Sequence, residues 1–192
     1  MWFLSQVEYF CFSKKLAYHT APTLLGIKCA SLISLQSTEF DLDFHTRYFN
    51  RRAAVKGLKS RILCSCGNRS LMLVYREEML SKRLSDRNAR EILAKYGYCD
   101  DFSVEECLER LSERVREDGG FPHEIGIFLG YPIDDVKGFI ENKGENFKLC
   151  GAWKVYRDVE CAQRTFENYN KCRRFLCNKL DEGVDLYKAL KI

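Results

Sequence analysis

The sequence predicts an α/β or α+β protein. It forms one domain over residues 1–192, with a mixed sheet of about five strands that contains one hairpin and is flanked by helices. Three observations lead there. Short apolar or alternating runs at 30–35, 61–66, 69–75, 124–129 and 152–157 have the length of strands. Longer stretches between them carry apolar residues at helical spacing. There is no repeat, low-complexity segment or linker, and 192 residues suffice for one sizeable core but are marginal for two.

Residues 3–17 have Leu4, Val7, Phe10, Cys11 and Leu16 at helical positions, and the segment from His19 to Pro22 is expected to end that helix. Ala30–Leu35 follows as a buried strand, with Gly26 and Lys28 just before it. Phe40–Val55 reads as a helix stopped by Gly57. Arg61–Cys66 and Arg69–Tyr75 flank Gly67-Asn68, a dipeptide suited to a two-residue hairpin turn. Glu77–Leu84 and Asp86–Tyr96 form one broken helix or two short ones, closed by Gly97. Ser103 and Glu106 make a capping box, and Cys107, Leu108, Leu111 and Val115 continue the helix to about Glu117.

The densest punctuation lies at 121–139, FPHEIGIFLGYPIDDVKGF. Gly119, Gly120 and Pro122 break the preceding helix, and Glu124–Leu129 alternates as a buried strand. Gly130-Tyr131-Pro132 is a corner. Pro132 suits a first helical turn, and Asp134 and Asp135 complement the helix dipole there. Val136, Phe139 and Ile140 give an apolar face, and Lys143-Gly144 a stop. A strand that enters a helix through a glycine corner can hold a ligand, because free helix N–H groups point at it; it can equally be a plain connection. Cys150 lies in a loop. Ala152–Arg157 is a last strand, Asp158 caps a helix to about Asn178, and a short helix covers Asp181–Leu190.

Composition narrows the function. Lys and Arg number 31 against 27 Asp and Glu, a formal net charge of +4, and the two signs are interleaved, so no nucleic-acid stripe is expected. No apolar run nears the roughly 20 residues that span a bilayer. The apolar N-terminus lacks a basic n-region and contains Glu8, which argues against a secretory signal and for a cytoplasmic protein. Of ten cysteines, none forms a Cys-x-x-Cys pair, so neither a disulfide framework nor a structural zinc set is expected. Cys64 and Cys66 lie on one strand face, where ordinary packing competes with metal or redox chemistry.

Several elements together resemble a bacterial family of unknown function, found largely in anaerobes. They are FPHEIGIFLGYPIDDVKGFI at 121–140, G-x-W-K-V-Y at 151–156, the stretch from Ala21 to Leu32, and V-Y-R at 74–76. The resemblance spans nearly the whole chain and implies no established activity or cofactor. The family pattern leads one to expect proline at Cys29, and the cysteines stand outside its elements, which weakens a shared thiol or metal mechanism. A polar set does belong to them. Lys28, Ser31, Tyr75 and Arg76 come from the first half; His123, Glu124, Tyr131, Asp135, Lys154 and Tyr156 come from the second.

If these groups converge, Lys28, Arg76 and Lys154 supply positive charge for a small anionic ligand. His123 is the candidate general acid or base, since imidazole takes either form near neutrality. The alternative for His123 is a loop histidine bonded to backbone, and for Lys28 a solvated charge. Strand alternation points Glu124 away from His123. No P-loop, G-x-G-x-x-G or G-x-S-x-G occurs. The competing readings are a metal or thiol-redox protein using Cys64 and Cys66, and an interaction module anchored by exposed Tyr131 and Trp153. Whether the protein is an enzyme, its cofactor and its oligomeric state stay open at this point.

Overall fold

The computed structural model describes residues 5–99, 101–117 and 121–192. Leu4 and the expected Gly119-Gly120 break lie outside them. The chain forms two compact units, Met1–Arg76 with Tyr169–Ile192, and Glu77–Asn168. No helix among the described residues is long and apolar enough to cross a membrane.

The first unit contains α1 (Gln6–Leu24), β1 (Ala30–Gln36), α2 (Leu42–Ala53), β2 (Leu58–Cys66) and β3 (Arg69–Arg76). It closes with the second part of α8 (Val159–Asp181) and with α9 (Leu186–Ala189). The strands form an antiparallel sheet in the order β1-β3-β2. The Gly67-Asn68 hairpin is as the sequence predicts, with Gly67 at φ 53°. Apolar side chains of α1, α2 and the sheet, such as Leu16, Phe49 and Met72, share one core with Leu176 and Leu186.

Helix α1 runs through the segment expected to end it. Pro22 lacks an N–H, so the carbonyl four residues back, on Tyr18, has no helical partner. The Arg173 side chain takes it: its Nε donates to that oxygen at 2.9 Å. The C-terminal carbonyls of α1 are met in the same way. Arg76 donates from Nε to Thr23 O at 2.8 Å and from Nη2 to Leu24 O at 2.7 Å, and its Nη1 reaches Lys56 O at 3.1 Å. A guanidinium fork at a helix C-terminus satisfies orphan carbonyls and offsets the dipole at once.

The second unit contains α3 (Glu77–Leu84), α4 (Arg87–Leu93), α5 (Val104–Glu117), α6 (Ile125–Phe128) and α7 (Ile133–Glu141). β4 (Leu149–Cys150), β5 (Lys154–Val155) and the first part of α8 complete it. The capping box closes in both directions, Ser103 N to Glu106 Oε2 at 2.8 Å and Glu106 N to Ser103 Oγ at 3.2 Å.

Three expectations are corrected here. The five strands do not make one mixed sheet: they divide into the three-stranded sheet and a β4-β5 pair, both antiparallel. The expected strand at 152–157 shrinks to Lys154–Val155, because the N–H groups of Tyr156 and Arg157 are bonded to a side chain instead of a neighbouring strand. The expected strand at 124–129 is the helical turn α6, with Leu129 N donating to Ile125 O at 3.0 Å. Residues 124–129 are buried without exception, so their alternation carried no information about which face met water.

Replacing Arg76 with alanine removes the side-chain donor from Leu24 O and Lys56 O and leaves Thr23 O with only the Gly26 N–H. The expected loss is about 2 kcal/mol of stability in urea denaturation, and Arg76→Lys, which cannot fork, recovers less than half of it. Unchanged stability in Arg76→Ala would refute the capping role.

Candidate functional site

The site is built in the second unit by two acidic anchors. Asp135 sits in the first turn of α7, where the sequence placed it to complement the helix dipole. Its side chain does more than that. Oδ2 accepts the Trp153 indole N–H at 2.7 Å, and Oδ1 accepts the backbone N–H of Tyr156 at 2.8 Å and of Arg157 at 3.1 Å. A buried carboxylate with three donors is well satisfied. It locks α7 to the segment 153–157, and so joins the 121–140 stretch to the G-x-W-K-V-Y element.

Close packing completes that joint. Gly138, on α7, lies under the Tyr156 ring: a Cβ there would stand 2.5 Å from Tyr156 Cγ. A Cβ on Gly151 would run into the Phe166 ring. Trp153 is thereby held between Phe166, edge-on with centroids 4.5 Å apart, and Tyr131, stacked at 5.2 Å. The Tyr131 carbonyl accepts a hydrogen bond from Arg83 Nη2. Burial pushes the Tyr131 phenol up to about 12, so it stays protonated at neutral pH.

Glu124 is the second anchor and is fully buried, at 0% exposure. Oε1 accepts from Arg114 Nε at 3.1 Å and, at 3.4 Å, from the Tyr98 hydroxyl. Oε2 has no partner among the described residues. Burial, then the nearby Glu124 charge, push the Tyr98 phenol upward. Glu124 thus holds α6 against α5 through an ion pair inside the unit.

Between these anchors lies a cavity of about 270 Å³. Its walls are largely apolar and include four aromatic rings: Phe121 and Ile125 before α7, Val136 and Phe139 on it, and the Tyr131–Trp153 stack. Lys154 and His123 also border it. Lys154 Nζ donates to Gly144 O at 2.7 Å and lies 4.8 Å from the Phe147 ring centroid. His123 is exposed, with its ring edge-on to Phe139 at 5.3 Å.

The polar set therefore divides. His123, Tyr131, Asp135 and Lys154 border one cavity. Glu124 is an anchor beside it. Tyr156 is buried against Gly138, and its hydroxyl has no partner among the described residues. Lys28, Ser31, Tyr75 and Arg76 belong to the other unit. There, Ser31 Oγ pairs with Thr23 Oγ1 at 2.8 Å, Tyr75 is buried in the sheet, and Arg76 caps α1. Lys28 lies over the Tyr169 ring at 5.6 Å, and burial lowers its amine to about 8. Glu124 and His123 point apart, through a helical turn rather than strand alternation: Glu124 turns inward to Arg114 while His123 stays exposed.

Cys64 and Cys66 sit on β2 beside the hairpin, partly and fully exposed, and no group of three or more His, Cys, Asp or Glu among the described residues could hold a metal ion. The exposed-anchor reading is corrected, because Trp153 is buried at 8% exposure. Sequence reasoning missed Arg114 as Glu124's partner. The signal was present: Arg114 follows Cys107 and Leu111 at i+7 and i+3 on the apolar stripe of α5, where a charge needs a buried partner. It also placed Cys150 in a loop, whereas Cys150 is on β4 and borders the cavity.

The second unit is thus an α+β module whose sequence elements lock around an apolar, aromatic-walled cavity. The chain belongs to the family described as protein of unknown function DUF3793, which matches residues 16–190. No curated protein and no solved structure matches it.

Gly138→Ala separates packing from helix propensity. Propensity alone would stabilise α7 by about 1 kcal/mol. The Tyr156 contact instead predicts a loss of about 2 kcal/mol, measured by thermal or urea denaturation. A gain in stability would contradict the packing described.

Proposed function

We propose that the second unit is a small-molecule-binding module and that its ligand sits in the cavity bordered by His123, Tyr131, Asp135 and Lys154. The cavity itself is the observation that carries this. Its volume approaches the range of pockets that enclose small ligands, and its walls are apolar with a few polar groups at the border, the usual composition of such pockets. Two of the stretches singled out in the sequence, 121–140 and 151–156, line it, which is why the reading centres on this unit. Asp135 contributes by holding Trp153 and the 153–157 segment in place, since its acceptor oxygens are already occupied. His123, exposed at the border, is the group with acid–base capacity, so any proton transfer in the cavity is assigned to it.

Trp153 reports on occupancy directly. In a Trp2→Phe background its emission is the only tryptophan signal. A fragment screen is expected to find compounds that shift that emission and slow alkylation of Cys150, followed by peptide mass spectrometry. Ile125→Phe, which fills the cavity, is expected to weaken those fragments roughly tenfold or more. Fragments that bind Ile125→Phe as tightly as the parent protein would place binding elsewhere.

A further inference from the structure

We propose that the cavity takes a small aromatic monocarboxylate, with its ring among Phe121, Phe139, Tyr131 and Trp153 and its carboxylate on Lys154 Nζ. This rests on the reading that the cavity binds a small molecule, and it names the class. The charge comes first. Lys154 is half-buried and makes no ion pair with a carboxylate among the described residues; its neighbours are one carbonyl, Gly144 O, and the rings of Phe139 and Phe147. Tethering Gly144 uses one of three ammonium N–H bonds and leaves two for a ligand. A cation in apolar surroundings without a counter-charge favours an anion beside it.

The valence of that anion follows from Asp135. Its carboxylate borders the same cavity and repels further negative charge, so one cation facing one anion suits a single-charged ligand better than a phosphate dianion. The body follows from the walls. Four aromatic rings line them, and Phe166 packs edge-on against Trp153 of the Tyr131–Trp153 stack, which gives a preformed surface for a flat ring. The volume of about 270 Å³ limits the ligand to one or two rings.

The test uses the full chain carrying Trp2→Phe, with Trp153 emission titrated by three probes. Phenylacetate has ring and charge, 2-phenylethanol has the ring without the charge, and hexanoate has the charge without the ring. Phenylacetate is expected to bind roughly tenfold or more tighter than either. Lys154→Met is expected to erase its advantage over 2-phenylethanol while leaving 2-phenylethanol binding unchanged, and Lys154→Arg to keep most of it. Equal binding of phenylacetate and 2-phenylethanol overturns the carboxylate assignment and leaves the cavity reading intact. Equal binding of phenylacetate and hexanoate overturns the aromatic assignment. A preference that survives Lys154→Met overturns Lys154 as the seat. Binding of none of the three overturns the proposal, and a fragment screen without hits overturns the cavity reading with it. The comparison in the parent protein decides the class even if Lys154→Met fails to fold.

Discussion

The wall of the cavity formed by 153–157 depends on one carboxylate. Asp135 receives three N–H groups, one from an indole and two from consecutive backbone amides, and all three come from the segment 153–157. Beyond these bonds and its packing against Gly138 and Phe166, the segment is held at the backbone by Lys148 N–H to Val155 O at 2.8 Å and Gly151 N–H to Trp153 O at 3.0 Å. β5 is two residues long and pairs only with β4, so most of its backbone is not fixed by a sheet. A short strand of this kind is marginal alone. The carboxylate replaces the missing ladder, and it orients Trp153 at the same time. The cavity exists because the indole is held against Tyr131 on one side and Phe166 on the other.

The first unit shows the same physical economy with the opposite charge. Helix α1 continues through Pro22, which leaves the Tyr18 carbonyl open, and its last carbonyl, Leu24 O, is met by a side chain. Arg173 and Arg76 fill these positions from elsewhere in the chain. Cations that look available for an anionic ligand are thereby drawn into the backbone. The consequence for function is a contrast between two positive groups that the sequence offered as ligand contacts. Arg76 donates to three carbonyls, whereas Lys154 donates to one and stands beside an apolar cavity.

Local chemistry was legible in the sequence wherever it closes within a few residues. The hairpin at Gly67-Asn68, the Ser103–Glu106 capping box and the helix that starts after Pro132 all follow from neighbours in the chain. What the sequence hid was long-range. Pro22 reads as a stop unless Arg173 is known to face Tyr18, and 124–129 reads as a strand because every one of its residues is buried. Of the ten polar residues read from the sequence, His123, Tyr131, Asp135 and Lys154 border the cavity, and nothing in the sequence separated them from the other six. Their roles were not legible either. Glu124 and Asp135 read as ligand-binding acids, but each is an anchor whose partners lie ten or more residues away, Arg114 for the one and the 153–157 segment for the other.

The most direct test of the account is hydrogen exchange at the Tyr156 and Arg157 amides and the Trp153 indole N–H, followed by NMR. The Arg157 amide is bonded to Asp135 rather than to a strand, so its protection reports on that carboxylate. The account predicts exchange as slow as that of the buried turns of α5, with all three protons released together in Asp135→Ala. Exchange of the Tyr156 and Arg157 amides at the rate of an open loop in the parent protein would contradict it.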